Sequence, residues 1–119
     1  MHRKYLPPML TAFRREGYGM KHRLDEKQGE SLNGLLEAIL SLRDKEECRA
    51  FLMDLCTIQE LIGMSQRLQV AKLLLKGETY DAIRQSLPVS SSTITRVNTA
   101  LQFGPGGYRS VLNRMGGEG

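Results

Sequence analysis

Residues 57–77, TIQELIGMSQRLQVAKLLLKG, constrain the fold more tightly than any other stretch of this chain. Thr57 with Glu60 makes the reciprocal capping pattern that satisfies the orphan amides of a helix start. Behind it Leu61, Ile62, Leu68, Val70, Ala71, Leu74 and Leu75 recur at helical spacing, and Gly77 supplies a residue on which a helix can end. The same grammar is written twice upstream. Asp44 with Glu47 opens a segment carrying Phe51, Leu52 and Leu55 on one face, and Ser31 is the expected cap of a first helix bearing Leu32, Leu35, Leu36, Ile39 and Leu40. No segment alternates at period two, so the expected fold is all-α.

Downstream of Gly77 the helices shorten. Thr79 caps a short helix through Ile83 and Leu87, Pro88, Val89 and Ser90 break it, and a second helix runs from about Ser91 to Phe103, ending at Gly104, Pro105, Gly106 and Gly107. Two short helices joined by a tight turn form a helix-turn-helix unit, here spanning about residues 79–103. The spacing sends Ile83, Leu87, Val89, Ile94 and Val97 to the inside of the pair. Ser91, Ser92, Thr95, Arg96 and Thr99 then face outward, with Ser90 at the helix start, and these six are the candidate DNA-binding residues. Arg84 and Pro88 stand where such units usually have a small residue and a glycine. Proline cannot supply a left-handed turn residue, so either this turn is built differently or the helix pair opens slightly. Tyr108, Val111, Leu112 and Met115 predict a last short helix, and Met53 and Met64 are expected as gap-filling core residues.

A length of 119 residues suits one domain, divided here into a flexible N-terminal arm over residues 1–30 and a helical domain over residues 31–119. The arm is rich in charge, holds Pro7, Pro8, Gly17 and Gly19, and leaves Met20 open as an alternative start of the native protein. Basic residues gather at the two ends. Lys and Arg number seven against four Asp and Glu in residues 1–30, three against six in residues 31–60, and seven against three in residues 61–119. A modest basic surplus of this kind suits an anionic partner such as double-stranded DNA. No apolar run approaches the roughly 20 residues that cross a bilayer. Cys48 and Cys56 form no CxxC pair and are expected as buried thiols, and the expected location is the cytoplasm. His2 and His22 lack partners at metal-ligand spacing, so no metal site is expected. With no nucleophile-base-acid set, phosphate-cradling loop or catalytic carboxylate pair, an enzyme is not expected either.

TITRVNTAL followed by FGPGGY, and preceded by LCTIQELIGMSQRLQVAKLLLKGETY, resembles the Trp repressor superfamily, most closely its Trp-repressor-like YerC/YecD branch. The resemblance spans roughly residues 35–115. It implies an all-α homodimer, made by interlacing the N-terminal helices, with one helix-turn-helix head on each side to read the half-sites of a near-palindromic operator. The resemblance further implies an effector pocket made by Arg67, Arg96 and Thr57, the threonine coming from the other subunit. Guanidinium groups can hold a carboxylate and stack on an indole. Val97, however, stands where the tryptophan-binding members have glycine, so tryptophan is not the expected ligand and no cofactor is assigned. Without a ligand, Thr57 serves as a helix cap, Arg67 pairs with Glu60 or Asp54, and Arg96 touches phosphate. The expected function is a dimeric, sequence-specific DNA-binding transcriptional regulator, a repressor by preference. The competing expectation is a helical dimeric interaction module without sequence-specific DNA binding.

Overall fold

The computed structural model describes residues 23–116 and forms them into six helices: α1 (Glu26–Leu40), α2 (Lys45–Leu55), α3 (Ile58–Leu75), α4 (Tyr80–Ser86), α5 (Ser91–Phe103) and α6 (Gly107–Gly116). No strand occurs among the described residues. Residues 1–22, which hold most of the expected arm together with His2 and His22, lie outside them.

Caps punctuate the chain. Thr57 Oγ1 accepts from the Glu60 amide at 3.1 Å while Glu60 Oε1 accepts from the Thr57 amide at 2.9 Å, so α3 opens on a complete capping box. It closes on Gly77, whose φ of +93° is the left-handed conformation that glycine adopts without strain. There the Glu78 amide donates to Leu73 O at 3.0 Å and the Gly77 amide to Leu74 O at 3.0 Å, the Schellman pair of bonds. Asp44 caps α2 by accepting from the Glu47 amide at 2.8 Å. Glu47 reaches one residue further back than the capping box requires, accepting from the Arg43 amide at 2.9 Å.

The first helix begins earlier than Ser31. Asp25 Oδ1 accepts from the Gln28 amide at 2.7 Å and Gln28 Oε1 accepts from the Asp25 amide at 3.0 Å, placing a full capping box six residues upstream and Ser31 inside α1. The sequence DEKQ carries that signal, hidden in a charged stretch without apolar period.

The hydrophobic core draws on half of the molecule. Val70, Ala71, Ile83, Ile94, Val97, Leu101 and Leu112 are buried, all from the C-terminal half of α3 and from α4, α5 and α6. Leu87, Val89 and Tyr108 pack against them half-buried. The most extensive contact joins α3 to α5, with α4 against α5 and α6 against α3. Arg109 at the start of α6 donates through Nε to Leu101 O at 3.4 Å, tying the last helix to α5. Of the residues expected in that helix, Leu112 is buried and Tyr108 half-buried, whereas Val111 and Met115 are exposed.

By contrast α1 and α2 bury no residue fully. Leu36, Ile39 and Leu55 are exposed, and Leu40 is 85% exposed. Met53 and Met64, expected in the core, are exposed for the same reason: α2 and the first half of α3 have no covering layer among the described residues. Cys48 and Cys56 are free thiols, half-buried rather than buried.

Candidate nucleic-acid interface

The candidate interface is built from the turn between α4 and α5. Thr79 opens α4 by accepting from the Ala82 amide at 3.1 Å. The chain leaves α4 at Leu87, and the Val89 amide donates back to Leu87 O at 2.8 Å across Pro88. This three-residue turn closes around a proline ring that already holds φ near −65°. No non-glycine residue among the described residues has positive φ, so the turn dispenses with a left-handed residue. Val89 and Leu87 then face the core beside Ile83 and Ile94, which fixes how α5 leaves the turn.

The hydroxyls that open α5 have separate employments. Ser90 Oγ accepts from the Thr93 amide at 3.1 Å and donates to Thr93 Oγ1 at 3.1 Å, so it is consumed as the helix cap. Ser91 Oγ accepts from Arg84 Nη1 at 3.1 Å. Ser92 lies 3.4 Å from Ser90 Oγ, while the side chains of Thr95 and Thr99 have no hydrogen-bond partner among the described residues. Ser91, Ser92, Thr95, Arg96 and Thr99 are exposed, on the side of α5 opposite the buried Ile94, Val97 and Leu101. A surface of short hydroxyls and one guanidinium, raised on a helix whose other face is locked into a core, can enter a groove and exchange hydrogen bonds with base edges and phosphates.

A cleft of about 330 Å³ lies behind this surface, lined by Arg67, Thr95, Arg96, Val97, Thr99, Ala100 and Tyr108. It brings together Arg67 from α3 and Arg96 from α5. Arg67 Nη1 lies over Gly63, one helical turn back, 3.5 Å from where a Cβ would stand. The ion pair expected between Arg67 and Glu60 or Asp54 does not form. The one salt bridge among the described residues joins Arg84 to Asp81, because the Arg67 side chain is laid along its own helix toward the cleft. Thr57 does not line the cleft in one protomer; its hydroxyl is occupied as the α3 cap. Val97, 2% exposed, forms part of both the cleft wall and the core.

Sequence reasoning overlooked the cross-turn bond from Arg84 to Ser91 and the buried Leu101. Leu101 stands one helical turn beyond Val97, a spacing that could have found it. The Arg84 bond depends on how two helices cross and has no sequence signal.

The family model described as Trp repressor protein matches residues 30–116. The chain is 42% identical over 92 residues to the uncharacterized protein YerC of Bacillus subtilis (strain 168), covering 77% of this chain and 88% of that protein. Among solved structures, a TrpR-like protein from Eubacterium eligens ATCC 27750 is 42% identical with a TM-score of 0.71, covering 73% of this chain and 90% of its own. A candidate Trp repressor from Staphylococcus aureus is 44% identical with a TM-score of 0.73, covering 78% and 93% respectively.

Proposed function

The chain belongs to the Trp repressor family, whose members are regulatory DNA-binding proteins rather than enzymes, and from that premise we propose that it is a transcriptional repressor binding a near-palindromic operator as a homodimer in the cytoplasm. The observation that carries the reading is the division of α5 into two faces. Ile94, Val97 and Leu101 hold it in the core while Ser91, Ser92, Thr95, Arg96 and Thr99 are exposed to solvent.

In this reading α5 lies in the major groove and α4 crosses the backbone. Thr95 and Thr99 offer hydroxyls and Arg96 a guanidinium to base edges and phosphates. Ser90 contributes by capping α5 rather than by touching DNA. Homodimerisation is supported by the uncovered apolar surface of α1, α2 and the start of α3, where Leu36, Ile39, Leu55, Ile58 and Ile62 are exposed. Large apolar patches of this kind mark association surfaces. Twofold pairing there presents two heads to two half-sites about one helical turn of DNA apart. No helix among the described residues is long and apolar enough to cross a membrane.

Selection of bound fragments from random duplex DNA, followed by affinity measurement over a salt series, tests this. A regulator enriches an inverted-repeat site, and the logarithm of its affinity falls with the logarithm of salt with a slope of about −0.9 per phosphate contacted. Enrichment of no sequence, with weak binding indifferent to salt, would leave the interaction-module reading in its place.

A further inference from the structure

Arg84 occupies a place that the DNA-binding reading leaves without a role. It projects from α4, pairs through Nη2 with Asp81 one turn earlier, and donates through Nη1 to Ser91 Oγ at 3.1 Å across the turn. Ser91 is the first residue of α5 and is exposed. The Asp81 carboxylate holds one side of a planar fork, so the other side is directed rather than free to swing.

A serine hydroxyl has one hydrogen to give and two lone pairs to receive with. At Ser91 one lone pair is taken by a cation. The positive charge polarises the hydroxyl, strengthening it as a donor and disfavouring a second donor beside it. The O–H is therefore left to point away from Arg84. Ser92 and Thr95, which have no charged partner among the described residues, carry no such bias.

Resting on the DNA-binding reading, we propose that Arg84 is a positioning residue for base recognition: it sets Ser91 Oγ as an outward hydrogen-bond donor, so the base facing the start of α5 is read by an acceptor on its edge. In the major groove guanine offers N7 and O6, thymine O4 and adenine N7, whereas cytosine offers only its amino donor. Cytosine facing Ser91 leaves the hydroxyl without an acceptor and sets two donors against each other. A buried donor left unpaired costs enough to produce about five-fold rejection or more. Arg84 thus acts on specificity through Ser91, without touching the base.

The test compares the full-length protein with Arg84→Ala, Arg84→Lys and Ser91→Ala. Sites are selected from random duplexes, affinities are measured for the operator and its single-base variants, and circular dichroism checks folding. The unaltered protein rejects cytosine at one position of each half-site by about five-fold or more. Ser91→Ala abolishes that rejection at that position alone. Arg84→Ala abolishes it at the same position, and Arg84→Lys does too, because an ammonium cannot fork to Asp81 and Ser91 together. In all three the other positions keep their preferences and the salt slope is unchanged.

Two results overturn the proposal. One is a uniform loss of affinity in Arg84→Ala with all base preferences kept and the salt slope reduced by about 1, the signature of a phosphate contact. The other is cytosine rejection that survives in Ser91→Ala, whose loss of one exposed hydroxyl leaves the core untouched and so decides the matter even where an Arg84 variant fails to fold. Failure of the unaltered protein to select any sequence is a different result and refutes the DNA-binding reading itself.

Discussion

Ile94→Ala and Thr95→Ala alter neighbouring residues and should fail in opposite ways. Ile94 is 0% exposed between α5, α4 and α3, in the same cluster as Ile83, Val70 and Val97. Truncation to alanine removes three carbons, a transfer loss of about 2.4 kcal/mol at ~0.8 kcal/mol for each buried methylene. The cavity left behind adds to it at roughly 24 cal/mol per Å³ that the neighbours do not refill. A total of about 3 kcal/mol follows, inside the usual range of about 2–5 kcal/mol for such changes. Thr95 is exposed with no hydrogen-bond partner among the described residues, so its truncation should leave stability within about 0.5 kcal/mol. Urea unfolding followed by circular dichroism, at one fixed protomer concentration so that association does not move the midpoint, measures both. With m near 1.5 kcal/mol/M, Ile94→Ala should lower the midpoint by about 2 M and Thr95→Ala by less than about 0.4 M. Operator affinity reverses the order once folded fractions are matched: Thr95→Ala weakens it and Ile94→Ala restores much of it when stabilised. A loss below about 1 kcal/mol in Ile94→Ala at unchanged m would show that α5 is not anchored through this face.

Three further outcomes are expected. Leu36→Glu, which sets a charge on an exposed apolar position of α1, should lower the sedimenting mass from dimer to monomer, and a stable folded monomer of the unaltered protein at micromolar concentration would contradict dimerisation there. Gly104→Ala should destabilise by about 1–3 kcal/mol in thermal unfolding, because its Cβ would meet Ala100 O at 2.6 Å where the chain leaves α5; an unchanged midpoint would mean the backbone yields freely. Millimolar tryptophan should give no saturable heat in calorimetry and no tighter operator binding, since the branched Val97 stands in the cleft wall beside Arg96; micromolar binding would refute this, and Val97→Gly should gain affinity if that side chain alone is the obstacle.

Legibility in the sequence followed the range of the forces involved. Caps act over three residues, so Asp44, Thr57 and Thr79 were readable one by one, whereas Ser90, expected to face DNA, is the cap of α5. Periodicity identified Ile83, Ile94 and Val97 as inward-facing because their burial is a property of one helix face. The start of α1 was missed where two local signals competed: Asp25 with Gln28 forms the better cap, but Ser31 stands directly before the apolar run. Met53 and Met64 expose a different limit. Hydrophobicity states that a side chain seeks cover and is silent about whether its own chain supplies it. Pro88 marks a turn without a left-handed residue, yet the bond from Val89 to Leu87 that closes it has no signature in residue type. The cleft that unites Arg67 with Arg96 was expected through the family resemblance alone, because it is set by the packing of α3 against α5, a tertiary distance that no spacing along the chain encodes.

One unbroken helix serves both halves of the protomer. The first turns of α3 carry the uncovered Ile58 and Ile62, and its last turns carry the buried Val70 and Ala71. At 18 residues it is a rod of about 27 Å, with no hinge between its exposed apolar start and the core that seats α5. It therefore works as a ruler. Each residue inserted near its middle would advance the reading head by about 1.5 Å and swing it by about 100° around the rod. The same insertion between α2 and α3 would be absorbed in a loop. On the proposed dimeric DNA-binding reading, the spacing and phase at which two heads meet the double helix are set by the length of α3, and a change of operator geometry over evolution would be made there, one helical residue at a time.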